Sequence, residues 1–262
     1  MSSGFWVVVR HLIFLGAIAI FWSGCASYVE FRKNDGRPIK VTGHLYRPQG
    51  DGPFPAVIYL HGSGGALRHD HHWALGLQRE GYVVFMPESL SASHDAFGAA
   101  AYLQTLSFVR RDQIGVVGTS GGGTVAMYAG NDQRHFPGIS LGAVVALYPD
   151  CLLSSYTSSV PLLLLLGGQD NLTPPGPCLQ MANAAVSATR PVRVILYPRA
   201  HHGFDDANLG PGVHPTVNRG GSRYTVAHDG GAHADAERRI KAFLAEHLKR
   251  DPQLSRRAGD QD

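Results

Sequence analysis

Three kinds of side chain that together can turn a hydroxyl into a nucleophile stand at the ends of three apolar runs in this 262-residue chain. Ser120 follows the run 114–117, Asp170 follows 161–166, and an adjacent pair, His201 and His202, follows 192–197. A serine hydroxyl is a weak nucleophile until a base takes its proton, and the base needs a third group to fix its tautomer. The setting of Ser120 carries the most information. It sits in Gly118-Thr119-Ser120-Gly121-Gly122, and a helical pattern over 124–130 begins at once. The serine is therefore expected on a strand-to-helix turn tight enough to need small residues two places to either side. Such a turn lifts the hydroxyl clear of the sheet and leaves the Gly121 N–H at a helix N-terminus, facing a developing oxyanion. A second backbone N–H, from Ser63 or Gly64 in His61-Gly62-Ser63-Gly64-Gly65, would complete that cradle.

Each assignment has a plainer alternative. Asp170 could serve as a turn or helix-cap aspartate ahead of Thr173-Pro174. Two adjacent histidines cannot both point into one site, and the residues alone leave open which does. A metal on the pair would lack a third ligand nearby in sequence. The cluster His69-Asp70-His71-His72 also lacks a partner motif and is expected as the solvated first turn of a helix.

These side chains converge only if strands deliver them to one edge of a sheet. Segments 28–33 and 39–46 alternate, flank Asn34-Asp35-Gly36-Arg37-Pro38, and read as an antiparallel pair at the sheet edge. Short strands are expected at 56–60, 82–86, 114–118, 141–148, 161–166 and 192–197. Helical spacing intervenes over about 72–79, 94–109, 124–130 and 174–188, and returns over 232–248 with Ala236, Ile240, Phe243, Leu244 and Leu248 on one face. The alternation predicts an α/β domain over 27–249: a doubly wound, mostly parallel sheet covered on both faces, with its ligand site at the carboxyl ends of the strands. Segment 205–231 is too long for a connector and is expected to be a loop with a function. The charged stretch 250–262 is expected to be a disordered tail.

The formal charge is +3 with Lys and Arg scattered, which gives no electrostatic case for nucleic acid. Arg10 and His11 precede the apolar run 12–22, too short to span a bilayer comfortably, and Ser23-Gly24-Cys25-Ala26 follows. That pattern resembles a lipoprotein-type signal peptide over 1–24 with Cys25 lipidated. It places the protein on the periplasmic side of a bacterial cell envelope, with a lipid anchor as its contact with the membrane. Trp22 stands where such signals usually carry Leu, so ordinary cleavage nearby and retention as a signal anchor are the alternatives. Export with Cys25 lipidated leaves Cys151 and Cys178 as an even pair, for which a disulfide is permitted.

Four stretches taken together resemble the dienelactone hydrolase-like branch of the α/β-hydrolases: Leu60-His61-Gly62-Ser63-Gly64-Gly65, Gly118-Thr119-Ser120-Gly121-Gly122, Leu166-Gly167-Gly168-Gln169-Asp170, and Tyr197-Pro198-Arg199-Ala200-His201-His202-Gly203-Phe204. The resemblance runs from about Ala56 to Leu248. It implies the α/β-hydrolase fold, no cofactor, a small-molecule ester or lactone substrate, and His202, directly before Gly203-Phe204, as the base. It also implies a bond between Cys151 and Cys178, which agrees with the ends of successive strands lying side by side in such a sheet. The founding dienelactone hydrolases use Cys where this chain has Ser120, so the family name is not read as a substrate. The expectation is a serine hydrolase of carboxylic esters or lactones. Ser120 attacks, His202 moves the proton, Asp170 orients His202, and Gly121 with Ser63 stabilises the oxyanion.

Three other functions compete. Prolyl oligopeptidase-like catalytic domains look similar, which makes a small peptidase one alternative. Gly121-x-Gly123-x-x-Ala126 after a strand, with Asp150 at the end of the next, imitates the fingerprint of a nicotinamide dinucleotide-binding protein. An envelope-anchored binding protein on an inactive hydrolase fold is the third. No G-x-x-x-x-G-K-[ST] occurs, which excludes a P-loop.

Overall fold

A strand with helices on both sides has no solvated face to fill with polar residues, which is why uninterrupted runs of Val, Ile, Leu and Ala form the middle of this protein's main sheet. The computed structural model describes residues 27–32, 40–88, 93–185, 192–217 and 221–249. The expected signal peptide, Cys25 and the expected disordered tail lie outside the described residues.

In chain order the strands are β1 (Ser27–Arg32), β2 (Lys40–Tyr46), β3 (Phe54–Leu60), β4 (Val83–Pro87), β5 (Val109–Thr119), β6 (Leu141–Leu147), β7 (Leu162–Gly167) and β8 (Val192–Tyr197). In space they lie in the order β1-β2-β4-β3-β5-β6-β7-β8. β1 and β2 form the expected antiparallel edge pair, and β2 joins β4 antiparallel. All pairings from β4 to β8 are parallel.

The helices are α1 (Arg68–Arg79), α2 (Ser93–Thr105), α3 (Gly121–Asp132), α4 (Pro175–Ala184) and α5 (Gly230–Leu248). Successive side chains of a strand point to opposite faces, and each central strand here supplies two cores. Ile58, Leu60, Val116, Ala146 and Leu164 pack with α2, α3 and α4. Val57, Tyr59, Val117, Val145 and Leu165 pack with α1 and α5. The α5 stripe Ala236, Ile240, Phe243, Leu244 and Leu248 is buried as its spacing predicts. Each large aliphatic or aromatic side chain so buried contributes about 1.5–3 kcal/mol.

Four local expectations are corrected. The helix expected from about 72 starts at Arg68, and Asp70 is not solvated: it is fully buried, accepting the Leu67 backbone N–H at 2.8 Å and the Thr119 hydroxyl at 3.4 Å. The four-residue polar cluster does not reveal in sequence that its carboxylate packs against the end of β5. The helix expected to reach 109 ends at Thr105, and β5 begins at Val109. Arg110, Arg111 and Asp112 are exposed, so the first turn of that strand lacks an apolar signature. Segment 205–231, expected as a loop, carries secondary structure of its own. It holds a 3-10 turn, Ala207–Leu209, and a hairpin of β9 (His214–Val217) with β10 (Arg223–Val226). Strands of 4 residues are too short for alternation to stand out.

Candidate active site

Two glycines decide the turn that carries Ser120. A Cβ on Gly118 would overlap the carbonyl of Gly122, and one on Gly122 would overlap the carbonyl of Leu60. With that close approach permitted, β5 passes directly into α3, and Ser120 takes φ 51° and ψ −121°. A left-handed φ in a residue with a side chain costs of order 1–3 kcal/mol. The surrounding bonds hold it there: the Ser120 N–H donates to Leu147 at 2.9 Å, and the Thr124 N–H donates to the Ser120 carbonyl at 3.0 Å.

β7 and β8, paired in parallel, deliver the other two groups. Their exit loops are sewn together by backbone bonds, Gly168 N–H to Tyr197 at 2.8 Å and Gln169 N–H to Ala200 at 2.9 Å. His202 Nε2 then lies 3.0 Å from Ser120 Oγ, and His202 Nδ1 lies 2.8 Å from Asp170 Oδ2. It is His202, and not its neighbour, whose ring joins the two. Both His202 and Asp170 are buried, whereas Ser120 keeps partial exposure.

Asp170 Oδ1 accepts the backbone N–H groups of Leu172 and Thr173, each at 2.9 Å, so the turn-aspartate role and the contact with His202 are held by one side chain. Thr173 Oγ1 stands 2.9 Å from Asp170 Oδ2, 3.0 Å from the Tyr148 carbonyl and 3.1 Å from His202 Nδ1. Burial on its own pushes the Asp170 carboxyl up, but the bonds from His202 and Thr173 outweigh it and hold the group below its ordinary range. An ionised carboxylate only accepts, so the imidazole proton belongs on Nδ1 and the Nε2 lone pair faces the serine hydroxyl. Proton transfer from Ser120 to His202 would leave an imidazolium against a carboxylate, which lowers its cost.

The glycine-rich turn after β3 lies against the helix that carries the serine. The Gly65 N–H closes it onto the Gly62 carbonyl at 3.1 Å. The atoms nearest to where a Gly121 Cβ would stand all belong to Ser63, its backbone N at 3.4 Å among them. Of the two residues left open by the sequence, Ser63 is thus the one beside Gly121, while Gly64 faces Leu67. His61 braces the turn from below, with Nδ1 2.7 Å from the Gly62 carbonyl and Nε2 3.1 Å from that of Glu88.

Cys151 and Cys178 are bonded, with Cα atoms 5.0 Å apart, joining the segment beyond β6 to α4. The sequence reading missed Thr173, Tyr148 and Asp205. Thr173 stands three residues after the acid, a spacing from which a hydroxyl can reach back to it. Asp205 had no signal, because its partners Trp73 and Tyr148 stand 132 and 57 positions away.

Similar proteins agree with this architecture. The family model for the dienelactone hydrolase family matches residues 89–248, so it covers Ser120, Asp170 and His202 but begins beyond the Ser63 turn. No curated protein matches the chain by sequence. A dienelactone hydrolase from Anabaena variabilis superimposes with a TM-score of 0.64 at 18% identity, over 86% of this chain and 99% of its own. A dienelactone hydrolase-like promiscuous phosphotriesterase from metagenomic libraries gives 0.68 at 16%, over 86% and 100%. An acylaminoacyl peptidase from Pyrococcus horikoshii gives 0.64 at 13%, over 86% of this chain but 42% of its own. At such identities these likenesses establish the fold, while the family match spans more than half of the sequence. The chain belongs to the dienelactone hydrolase family and is a hydrolase of the α/β type.

Proposed function

We propose that the protein is a serine hydrolase of carboxylic esters or lactones that works through an acyl-enzyme on Ser120. The observation that carries this reading is the unbroken series of contacts from Asp170 through His202 to Ser120, at 2.8 and 3.0 Å. In the first step Ser120 Oγ attacks the acyl carbon as its proton passes to His202 Nε2. The carbonyl oxygen gains negative charge between the N–H groups of Gly121 and Ser63, and loss of one such donor typically costs 10²–10³ in rate. His202 then returns the proton to the leaving alkoxide. Water repeats the sequence on the acyl-serine, releasing the acid and restoring Ser120. A lactone would follow the same steps, its alcohol end remaining attached to the acyl group until water releases the hydroxy acid.

The closed series of contacts also favours an active hydrolase over a binding protein on the same fold. A fluorophosphonate probe followed by mapping of the modified residue tests the proposal directly. Modification of Ser120 with loss of esterase activity is the expected result. Recovery of an unmodified Ser120 peptide from fully probe-treated, esterase-active protein would overturn it.

A further inference from the structure

Asp205 and Tyr148 are two of the buried polar groups that the proposed mechanism leaves without a role. Asp205 lies three residues after His202 and is almost entirely enclosed. One of its carboxylate oxygens accepts the Tyr148 hydroxyl at 2.6 Å and the other accepts the Trp73 indole N–H at 2.7 Å. Neither donor is charged, and a carboxylate placed against two neutral donors is a costly way to fill a core. What distinguishes the arrangement is where Tyr148 leads.

Tyr148 follows the last residue of β6 and takes φ 37°, a left-handed conformation in a bulky residue. This turn aims the ring inward. Its centroid lies 4.6 Å from that of His202, with the planes at 62°, and the Phe204 ring packs on it at 5.3 Å. The carbonyl of the same residue lies 3.0 Å from Thr173 Oγ1, the hydroxyl that touches both Asp170 and His202. Tyr148 thus meets the imidazole with its ring and the acid's neighbour with its backbone. Asp205 anchors that ring at its far end to α1 and to the His202 loop at once. Burial, with Asp205 next, pushes the Tyr148 phenol well above its ordinary range, so the hydroxyl keeps its proton and remains a donor.

We propose that Tyr148 and Asp205 form a positioning pair that holds the His202 imidazole in line between Asp170 and Ser120. The inference rests on the reading of Ser120 as nucleophile and His202 as base. Its physical basis is that a catalytic group must be held to within roughly 0.5 Å and 10–20° of its working geometry. A histidine on a loop gains that restraint from its hydrogen bonds and from what packs on its ring. Without the Tyr148 hydroxyl the ring still fills its space and keeps its Phe204 contact, but it loses the anchor to Asp205 that sets its tilt against the imidazole.

The test uses the full chain and compares Tyr148→Phe, Asp205→Asn and Asp205→Ala with the parent protein. Three readouts are taken: kcat and KM on p-nitrophenyl butyrate, the rate of fluorophosphonate labelling, and the low-field proton resonance of His202 Nδ1, assigned by its loss in His202→Ala. Tyr148→Phe is expected to lower kcat and the labelling rate by about tenfold with KM within about twofold, and to broaden the resonance. Asp205→Ala should do the same or more. Asp205→Asn can still accept from one donor and offer an amide N–H to the tyrosine oxygen, and it should recover most of the loss seen in Asp205→Ala. A Tyr148→Phe protein with parental kcat, labelling rate and resonance would overturn the inference even if its melting temperature falls. Should that variant not fold, equal kcat in Asp205→Asn and Asp205→Ala would overturn it instead. If the parent protein itself is not labelled at Ser120, the hydrolase reading fails. The resonance then still decides whether the pair positions the imidazole.

Discussion

Replacing Ser120 with Ala is expected to abolish fluorophosphonate labelling and to lower turnover of short p-nitrophenyl esters by several orders of magnitude, with the fold intact. The reason is local. The hydroxyl is the only part of the side chain that faces His202, at 3.0 Å, so its removal ends covalent chemistry and leaves whatever the Gly121 and Ser63 N–H groups do for an attacking water. In serine hydrolases that residue of catalysis is about 10³–10⁴ over the uncatalysed reaction. The backbone at position 120 is strained, φ 51°, and alanine tolerates that conformation no better than serine, so stability should stay within about 1 kcal/mol of the parent. Circular dichroism and single-turnover kinetics on the same preparation check both halves. Undiminished labelling in the variant would end the assignment.

The second large effect concerns the base, where two chemically identical neighbours give an internal control. His202→Ala should reduce kcat/KM by roughly 10⁴ or more, because it removes the proposed proton acceptor and the imidazole partner of the Asp170 carboxylate. His201→Ala should cost less than about tenfold, since the hydrogen bonds to Ser120 and Asp170 are made by His202 and the His201 Nδ1 makes none. If the two variants lose activity equally, or if His201→Ala is the worse, the imidazole that works in solution is not the one that bridges Asp170 and Ser120.

The sequence identifies the parts of this site that depend on local covalent geometry. Gly118 and Gly122 must be glycine because two backbones approach within the radius of a Cβ, and that demand is visible as spacing around Ser120. The apolar runs of β3 to β7 announce a sheet covered on both sides, and the chain order of Ser120, Asp170 and the histidines follows from it. What stays hidden depends on contacts across the fold. Asp70 reads as a solvated helix start until Leu67 and Thr119 are found around it. Tyr148 and Asp205 meet only when the loops after β6 and β8 reach the same end of the sheet. The β9 and β10 hairpin has no periodicity to report, yet Val226 bridges to His202 and Tyr224 sits 6.5 Å from the imidazole. It therefore forms a wall beside the His202 ring that the sequence shows only as a long loop.

The bond between Cys151 and Cys178 acts mostly on a state in which none of this geometry exists. Its two cysteines stand 27 positions apart and enclose the whole of β7 and the Asp170 loop, so in the unfolded chain the acid can never stray far from the end of β6. Restricting those unfolded conformations is worth roughly 3.5 kcal/mol on the chain-entropy account. That gain does not depend on any contact made at the site. Reduction is therefore expected to leave kcat nearly unchanged at low temperature while lowering the melting temperature by roughly 10 °C, a domain of this size losing about 2–4 °C per kcal/mol. Thermal scans of the oxidised and the reduced, alkylated protein measure the difference. Coincident transitions would mean that packing alone confines the loop. Activity lost at low temperature on reduction would mean that the bond shapes the folded site rather than the chain's freedom before folding.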